Sequence, residues 1–331
     1  MSIDAPIEYV TTDDGVSLAC TKFGSGPALV YQFANPSLSH FEMELAFEPA
    51  ARTYEVFAEV ATVIRYDARN TGLSTRGVED ISLEAQLRDL EAVLAHYGVE
   101  TAALMFPFLW APVAATFAAA NPERISALIL PYPMLYRERL STDELLADVY
   151  AAALKVGAEF FWSVRALTLV GLQAKENAAW MVRYMLEAAD HEEQLRGEQA
   201  FREVDARAAA AAIKAPTLII QRKLPRFNAG KPTDEMIREH LASITRTSAL
   251  IPGAETALFE GSSLWYTGDD AITARSLEFL RKAWAKQAHA GSPAIRRRVA
   301  RPDQPHAVHF ARRQQRVVPR LHLRRDAPGV R

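Results

Sequence analysis

The stretch Thr101-Ala-Ala-Leu-Met-Phe-Pro-Phe-Leu-Trp-Ala-Pro-Val-Ala-Ala-Thr-Phe-Ala-Ala-Ala120 decides how the chain is organised. Its first residues form a short apolar run, which is typical of a buried strand. The residues after Pro112 are rich in alanine, the best helix former. Only a few residues separate the two halves. The pattern therefore predicts a strand that enters a helix through a very tight turn.

The tight turn occupies positions 106 to 110. A turn of the form G-x-S-x-G holds a serine in a strained backbone conformation at the top of a parallel sheet, and is called a nucleophile elbow. Here the five positions read Phe106-Pro107-Phe108-Leu109-Trp110. The setting for a nucleophilic serine is present and the serine is not. The sequence therefore argues against the chemistry that such a turn usually supports.

Composition sets the class of protein. The chain has 331 residues, of which 49% are hydrophobic, so it can bury one large core or a core with an inserted subdomain. It contains no uncharged apolar run of about 18 residues, and its N-terminus lacks the features of a signal peptide. We therefore expect a cytoplasmic protein that does not insert in a membrane. Its single cysteine, Cys20, cannot form an internal disulfide, and we interpret it as a buried strand residue.

The end of the chain differs from the rest in charge. Residues 287–331 contain eleven arginines, no lysine and two aspartates, although the whole chain has a net charge of −2. Several prolines interrupt any helical period there. We predict a basic, disordered tail. Because it lacks the aromatic interleaving and the motifs of nucleic-acid-binding proteins, we expect no nucleic-acid binding. The sequence leaves open whether this tail is functional or comes from a shifted reading frame.

The order of elements predicts an α/β architecture. Strands and helices alternate from residue 28 to residue 131, which is the pattern of a parallel sheet covered by helices on both faces. The chain is then continuously helical before the sheet resumes at Ala215, and its last strand is predicted at residues 248–251. A helical insertion of this kind is where a lid over the carboxyl ends of the strands would lie. We divide the chain into a first core part (1–134), a helical lid (135–213), a second core part (214–286) and the tail (287–331).

Two further motifs carry a family resemblance. The turn from Asp67 to Ser74, Asp-Ala-Arg-Asn-Thr-Gly-Leu-Ser, and the segment from Pro122 to Leu130 flank the elbow strand and helix in the sequence. With the elbow, they make the chain resemble the α/β-hydrolase family, and in particular the bacterial branch whose members are sometimes fused to cyclase or regulatory domains. The resemblance covers about residues 5–286. It implies a mostly parallel central sheet with an inserted helical lid.

The resemblance also indicates where a catalytic triad would lie. Its serine, acid and histidine positions are held by Phe108, Pro225 and Leu264. None of these side chains can attack a carbonyl, accept a proton or orient a base. The turn that would supply an oxyanion-binding amide is also altered, because Phe33-Ala-Asn-Pro36 replaces a His-Gly-type turn. We predict a degenerate triad, with the tight elbow relaxed and its pocket partly refilled by aromatic side chains.

The cleft above the elbow is the expected binding site. We expect neither a cofactor nor a metal there. A site formed by His40 with Glu42 and Glu44 is an alternative, although an isolated group of this kind is usually solvated. The ligand-pocket candidates are Phe33, Asn35, His40, Phe106, Trp110, Tyr132, Tyr136 and Trp265.

The function predicted from these residues is binding without hydrolysis. The bound species is either a small apolar molecule under the lid or a protein partner. The alternative is an atypical enzyme, or a weak hydrolase, that acts on a small apolar ester-like substrate in the same cleft. Association of identical chains also stays open. The sequence does not identify the ligand, the oligomeric state or the pathway.

Overall fold

An eight-stranded sheet forms the centre of the molecule. The computed structural model describes residues 3, 5–138, 140–170, 175–225, 231–262 and 268–290, without the side chains of residues 142, 144, 145, 175 and 288–290. The predicted tail beyond residue 290 lies outside this description. The strands are β1 (Glu8–Thr11), β2 (Ser17–Gly24), β3 (Ala28–Tyr31), β4 (Thr62–Tyr66), β5 (Ala102–Met105), β6 (Ile125–Pro131), β7 (Thr217–Arg222) and β8 (Glu255–Phe259).

The sheet is mostly parallel, as predicted. Its strand order is β1-β2-β4-β3-β5-β6-β7-β8. The first two strands form an antiparallel hairpin, and β2 also pairs antiparallel with β4. All pairings from β4 through β3 to β8 are parallel. The carboxyl ends of β3, β5, β6 and β7 therefore meet at one edge, where open α/β sheets bind ligands.

Helices connect the parallel strands. They are α1 (Phe41–Leu45), α2 (Glu48–Ala58), α3 (Leu83–His96), α4 (Ala111–Ala120), α5 (Ser141–Val156), α6 (Ala158–Val170), α7 (Lys175–Ala188), α8 (His191–Arg202), α9 (Arg207–Ala212), α10 (Asp234–Ala249) and α11 (Asp270–Ala290). We call α5 to α9, which lie between β6 and β7 in the chain, the inserted helices. Side chains cap two of these helices, because Ser82 accepts a backbone hydrogen bond at the start of α3 and Thr233 does so at the start of α10.

Alternation along each strand separates two hydrophobic cores. Leu104 of β5 faces a core that includes residues of α3, α4 and α9. Its neighbour Ala103 faces a core that includes residues of α2, α6, α7 and α11. Because successive strand residues point to opposite faces of a sheet, the two cores cover both faces. The predicted fold class is confirmed.

The last strand is not where the sequence predicted it. Residues 248–251 form the end of α10 and the turn after it, whereas the strand is Glu255–Phe259. Pro252 and Gly253 separate the two segments. β8 pairs only with β7 in the described sheet, and its side chains alternate between half-buried and exposed. An edge strand of this kind lacks the continuous apolar run of a buried parallel strand, so its pattern is harder to detect.

Candidate functional site

The turn after β5 keeps the geometry of an elbow. Phe108 has a φ of +47°, and the 3₁₀ turn Phe108–Trp110 leads directly into α4. The backbone N–H of Met134 donates to the carbonyl of Phe108 at 3.1 Å. The prediction of a relaxed elbow is therefore wrong. The strand and the helix on either side hold the backbone in its left-handed conformation although the residue at the apex is a phenylalanine.

Strained backbone is concentrated at this edge of the sheet. Four non-glycine residues of the described chain have a positive φ, and three of them are Ala34 (+52°), Phe108 (+47°) and Tyr132 (+51°). They follow β3, β5 and β6, respectively. A left-handed conformation costs a residue with a Cβ about 1–3 kcal/mol, and such residues tend to cluster at functional sites. The strain points to this edge as the candidate site.

A cavity of about 220 Å³ lies over the three strained residues. Its floor includes Phe108, whose ring stacks on that of Tyr132 with centroids 5.5 Å apart. Its lining among the described residues is Phe33, Ala34, Asn35, Ser37, Leu38, Phe108, Leu109, Tyr132, Pro133, Met134, Leu140, Asp143, Trp162, Arg165, Leu169, Met181, Met185, Gln194, Glu198, Arg202, Gln221, His240, Ser243 and Ile244. Of the aromatic side chains at the elbow, only Phe108 borders this cavity, and it leaves the cavity open, so the predicted partial refilling is limited to this one ring.

The cavity contains only some of the predicted pocket residues. Phe33, Asn35 and Tyr132 line it. Phe106 and Trp110 do not, because they lie in the core of α3 and α4 on the opposite face of the sheet, with their rings 5.3 Å apart. The sequence placed them near the apex, but strand alternation directs Phe106 to the same face as Leu104.

Two other candidates, His40 and Tyr136, lie outside the cavity lining. Near His40, Glu44 is fully buried in an ion pair with Arg65, so the proposed His40, Glu42 and Glu44 site does not form. Tyr136 packs under the guanidinium of Arg207, 5.1 Å from its ring centroid, and not in the cavity.

The resemblance assigns three positions to a triad, and the structure describes two of them. Phe108 occupies the apex of the elbow, and Pro225 is buried shortly after β7. Leu264, at the histidine position, and the pocket candidate Trp265 lie outside the described residues.

The first amide after the elbow apex points to an asparagine side chain. In an elbow enzyme, the amide after the nucleophile and an amide from the loop after β3 bind the developing oxyanion. Here the amide of Leu109 points to the side-chain oxygen of Asn35, at a long distance of 3.5 Å. Asn35 belongs to that loop after β3. The side-chain oxygen of Asn35 therefore lies in front of the Leu109 amide, where a substrate oxygen would otherwise accept a hydrogen bond.

A charged cluster on the inserted helices forms the opposite wall. The carboxylate of Glu198 on α8 accepts hydrogen bonds from Arg165 of α6 at 2.8 Å and from Arg202 at 2.6 Å. Burial alone would raise the pKa of Glu198, but the two arginines lower it to about 2. Burial likewise opposes the charge on Arg165, whose pKa Glu198 nevertheless raises. The cluster is therefore fully ionised at neutral pH.

Three buried polar atoms beside this cluster lack a hydrogen-bond partner within the described structure. They are Nε1 of Trp162, Nε of Arg165 and Oε1 of Gln194, and all three side chains line the cavity. Trp162 and Gln194 are each 2% exposed. The amide nitrogen of Gln194 already donates to the carbonyls of Met185 and Ala189, which leaves its oxygen as the unpartnered acceptor.

A histidine and a serine lie on the wall formed by α10. Burial lowers the pKa of His240, and its Nε2 lies 2.9 Å from the carbonyl oxygen of Arg222. A neutral imidazole that donates from Nε2 satisfies this contact. The hydroxyl of Ser243 donates to Glu138. Both groups are thus engaged with neighbouring protein atoms.

The sequence did not identify the polar wall. Trp162, Arg165 and Leu169 follow helical spacing on α6, and Gln194, Glu198 and Arg202 do so on α8. That spacing indicates that the residues of each set share one face of their helix, because residues three or four apart are neighbours on a helix surface. A pattern of spacing does not show which other helix that face meets.

Within the described ranges, no group of three or more histidine, cysteine, aspartate or glutamate side chains is arranged to hold a metal ion. In the same part of the chain, no helix is both long and apolar enough to cross a bilayer.

Comparison with known proteins was made at the level of sequence and of structure. No family model and no curated protein matches the sequence. An esterase from Exiguobacterium antarcticum superposes with a TM-score of 0.66 at 18% identity, over 82% of this chain and 98% of the esterase. A hydrolase from Pseudomonas aeruginosa gives 0.64 at 22% identity, over 83% and 98% of the two chains. An enol-lactonase from Burkholderia xenovorans gives 0.64 at 18% identity, over 83% and 100%.

These likenesses and the sheet topology define the class of protein. The chain has the α/β-hydrolase fold, and the fold implied by the sequence resemblance is confirmed. At identities this low, the likeness concerns the fold alone.

Proposed function

We propose that this protein does not hydrolyse esters and instead binds a small, largely apolar molecule in the cavity between the elbow and the inserted helices. The observation that carries the proposal is Phe108, which occupies the apex of an intact elbow at a φ of +47° directly below the cavity. A phenyl group has no atom that can attack a carbonyl carbon.

The groups around the apex agree with a loss of hydrolysis. The amide of Leu109 is directed at Asn35, which competes with any substrate oxygen for that donor. His240 is the one histidine among the described lining residues, and its Nε2 is held by the carbonyl of Arg222. The sequence supplies proline at 225 and leucine at 264, neither of which can orient or act as a base.

The cavity itself supports binding. A preformed cavity lined by apolar and aromatic side chains with a few polar groups is typical of small-molecule sites. Phe33, Leu38, Leu169, Met181 and Met185 supply apolar surface. Since an apolar protein cavity of about 150 Å³ can hold benzene, the space here suits a molecule of roughly ten non-hydrogen atoms.

The competing proposal is an atypical enzyme in the same cavity. The solved structures that share this fold include an esterase and an enol-lactonase, so ester hydrolysis is the reaction to test. If such an activity exists here, it must use a nucleophile other than residue 108.

We predict that the purified protein neither turns over p-nitrophenyl acetate or butyrate above the buffer rate nor is labelled by a fluorophosphonate probe. The physical reason is the lack of a hydroxyl at the elbow apex. The measurement is release of p-nitrophenolate followed at 400 nm, with labelling followed by intact mass. Turnover that disappears in a His240→Ala variant would overturn the proposal and establish an atypical enzyme, because His240 faces the cavity.

A second prediction concerns binding. Indole, used as an apolar probe, is expected to raise the melting temperature of the protein by mass action. Met134 lines the cavity and is 37% exposed, so a Met134→Trp variant should narrow the entrance with little disturbance of the core. We expect that variant to bind indole at least about tenfold more weakly by calorimetry, a change of about 1.4 kcal/mol.

The matched control is Leu186→Trp. Leu186 is 41% exposed on α7 and does not line the cavity, so indole affinity should be unchanged. If indole fails to bind the native protein, or if both variants weaken binding equally, the cavity is not the binding site.

A further inference from the structure

We infer that the molecule bound in this cavity carries a carboxylate, which is received by the indole N–H of Trp162 and the guanidinium of Arg165. This inference rests on the proposed binding function and adds the chemical class of the ligand. It follows from the unpartnered donors, the charge and the geometry of the wall formed by α6.

Two buried N–H groups on this wall need an acceptor. Nε1 of Trp162 and Nε of Arg165 have no hydrogen-bond partner in the described structure. A buried donor without an acceptor destabilises the structure, because it has lost its hydrogen bonds to water. Both side chains line the same cavity, so one occupant could satisfy both donors.

The two donors lie close together. Residues 162 and 165 are three apart on α6 and therefore share a face. The guanidinium carbon of Arg165 lies 5.5 Å from the ring centroid of Trp162. The guanidinium therefore lies over the indole ring, and the two side chains form one continuous patch of the cavity wall that a group with two acceptor oxygens, such as a carboxylate, could contact.

Charge favours an anion at this wall. Arg165 and Arg202 share the single carboxylate of Glu198, so the cluster keeps one excess positive charge. Asp143 on α5 also lines the cavity and balances this charge over the described lining as a whole, so the excess positive charge is local to the cluster on α6 and α8. Arginine recognises carboxylates through its planar array of donors, and these charge-assisted bonds are about twice as strong as neutral ones.

The third unpartnered atom has the opposite polarity. Oε1 of Gln194 is an acceptor on α8, and it offers nothing to a carboxylate. The anion is therefore assigned to the α6 wall, while the apolar body of the ligand lies against Leu169, Met181 and Met185.

Calorimetric titration with three probes of similar size tests the inference. Phenylacetate carries the carboxylate, phenylacetamide is its neutral isostere, and indole has no acceptor oxygen. The native protein should bind phenylacetate at least tenfold more tightly than phenylacetamide. A Trp162→Phe variant, which keeps an aromatic ring and removes the N–H, should lose about tenfold in phenylacetate affinity and less than threefold in indole affinity.

Two further variants make the result specific. Trp180→Phe is the matched control, since Trp180 lies on α7 outside the cavity lining, and it should bind all three probes as the native protein does. Arg165→Lys keeps the charge and removes the planar donors, and it should also weaken phenylacetate binding about tenfold. This variant decides the question if Trp162→Phe does not fold.

The outcomes separate the two proposals. If indole binds in a Met134-dependent manner but phenylacetate is not preferred over phenylacetamide, the carboxylate inference is overturned and the proposed function stands. If Trp162→Phe weakens indole as much as phenylacetate, the carboxylate inference is overturned as well. If none of the probes binds, the proposed function and the inference both fail.

Discussion

Replacement of Arg65 by methionine is expected to lower the free energy of unfolding by about 3–5 kcal/mol, because it leaves a buried carboxylate without its counter-charge. Arg65 and Glu44 are both fully buried, and Nε of Arg65 donates to Glu44 at 3.1 Å. The hydroxyls of Tyr54 and Tyr184 each donate to the same carboxylate at 2.7 Å. Burial raises the pKa of both hydroxyls, so both tyrosines stay protonated and uncharged at ordinary pH. They donate hydrogen bonds to Glu44 but cannot replace the positive charge of Arg65.

The measurement is urea unfolding at pH 7 followed by circular dichroism. The matched control is Arg52→Met, which breaks the ion pair with Asp270. The side chains of that pair are 50% and 83% exposed, so the expected loss is much smaller than that of Arg65→Met. If Arg65→Met and Arg52→Met cost the same, the buried pair does not support the fold as described. A Glu44→Gln/Arg65→Met double variant should regain part of the loss, because no unpaired charge is then buried.

Replacement of Glu198 by glutamine is expected to remove about 3 kcal/mol of stability at neutral pH. The pKa of Glu198 is lowered from 4.5 to about 2 in the folded protein, and one unit of pKa corresponds to about 1.4 kcal/mol. A lowered pKa means that the carboxylate stabilises the fold above pH 4.5 and that this contribution is lost as the pH falls from 4.5 towards 2. The glutamine variant has no such titration.

The difference between the native protein and the variant is therefore the quantity to follow. Unfolding free energies measured between pH 7 and pH 3 should differ by about 3 kcal/mol at pH 7 and should converge as the pH falls. Glu187→Gln is the control, because Glu187 is 54% exposed in an ion pair with Arg183. It should change stability by less than about 0.5 kcal/mol at any pH in this range. A gap between native and Glu198→Gln that is constant with pH would contradict the ionised cluster.

Local sequence patterns predicted much of the sheet. The alternation of strands and helices and the elbow between β5 and α4 were both predicted, because turn residues and short apolar runs report local geometry. The sequence did not predict β8, because an edge strand needs fewer apolar residues than a buried strand and so lacks the continuous apolar run. The apex conformation at Phe108 was also misjudged. Its φ is imposed by the elements on either side, whereas the identity of the residue suggested relaxation.

The candidate site was predicted only in part. Phe33, Asn35 and Tyr132 follow strands whose ends are fixed by the sheet topology, so sequence order placed them at the cavity. Trp162, Arg165 and Glu198 come from the inserted helices, whose packing against one another depends on contacts distant in the sequence. Helical spacing shows that these residues share faces with their neighbours. It does not show that two such faces meet around a shared space.

The hydrogen bond between Tyr184 and Glu44 affects how fast a ligand can enter and leave the cavity. It joins α7 to α1 inside the core, and the amide of His40 donates to the same tyrosine hydroxyl at 3.2 Å. An outward rigid-body movement of α7 would remove the Tyr184 hydroxyl from the buried carboxylate of Glu44. Since that loss is costly, we expect the movement to be rare. We expect the ligand to enter and leave through rotamer changes of exposed side chains such as Met134, which take about nanoseconds. The residence time of the ligand would then be set by the strength of its contacts in the cavity, because no slow opening step precedes its release.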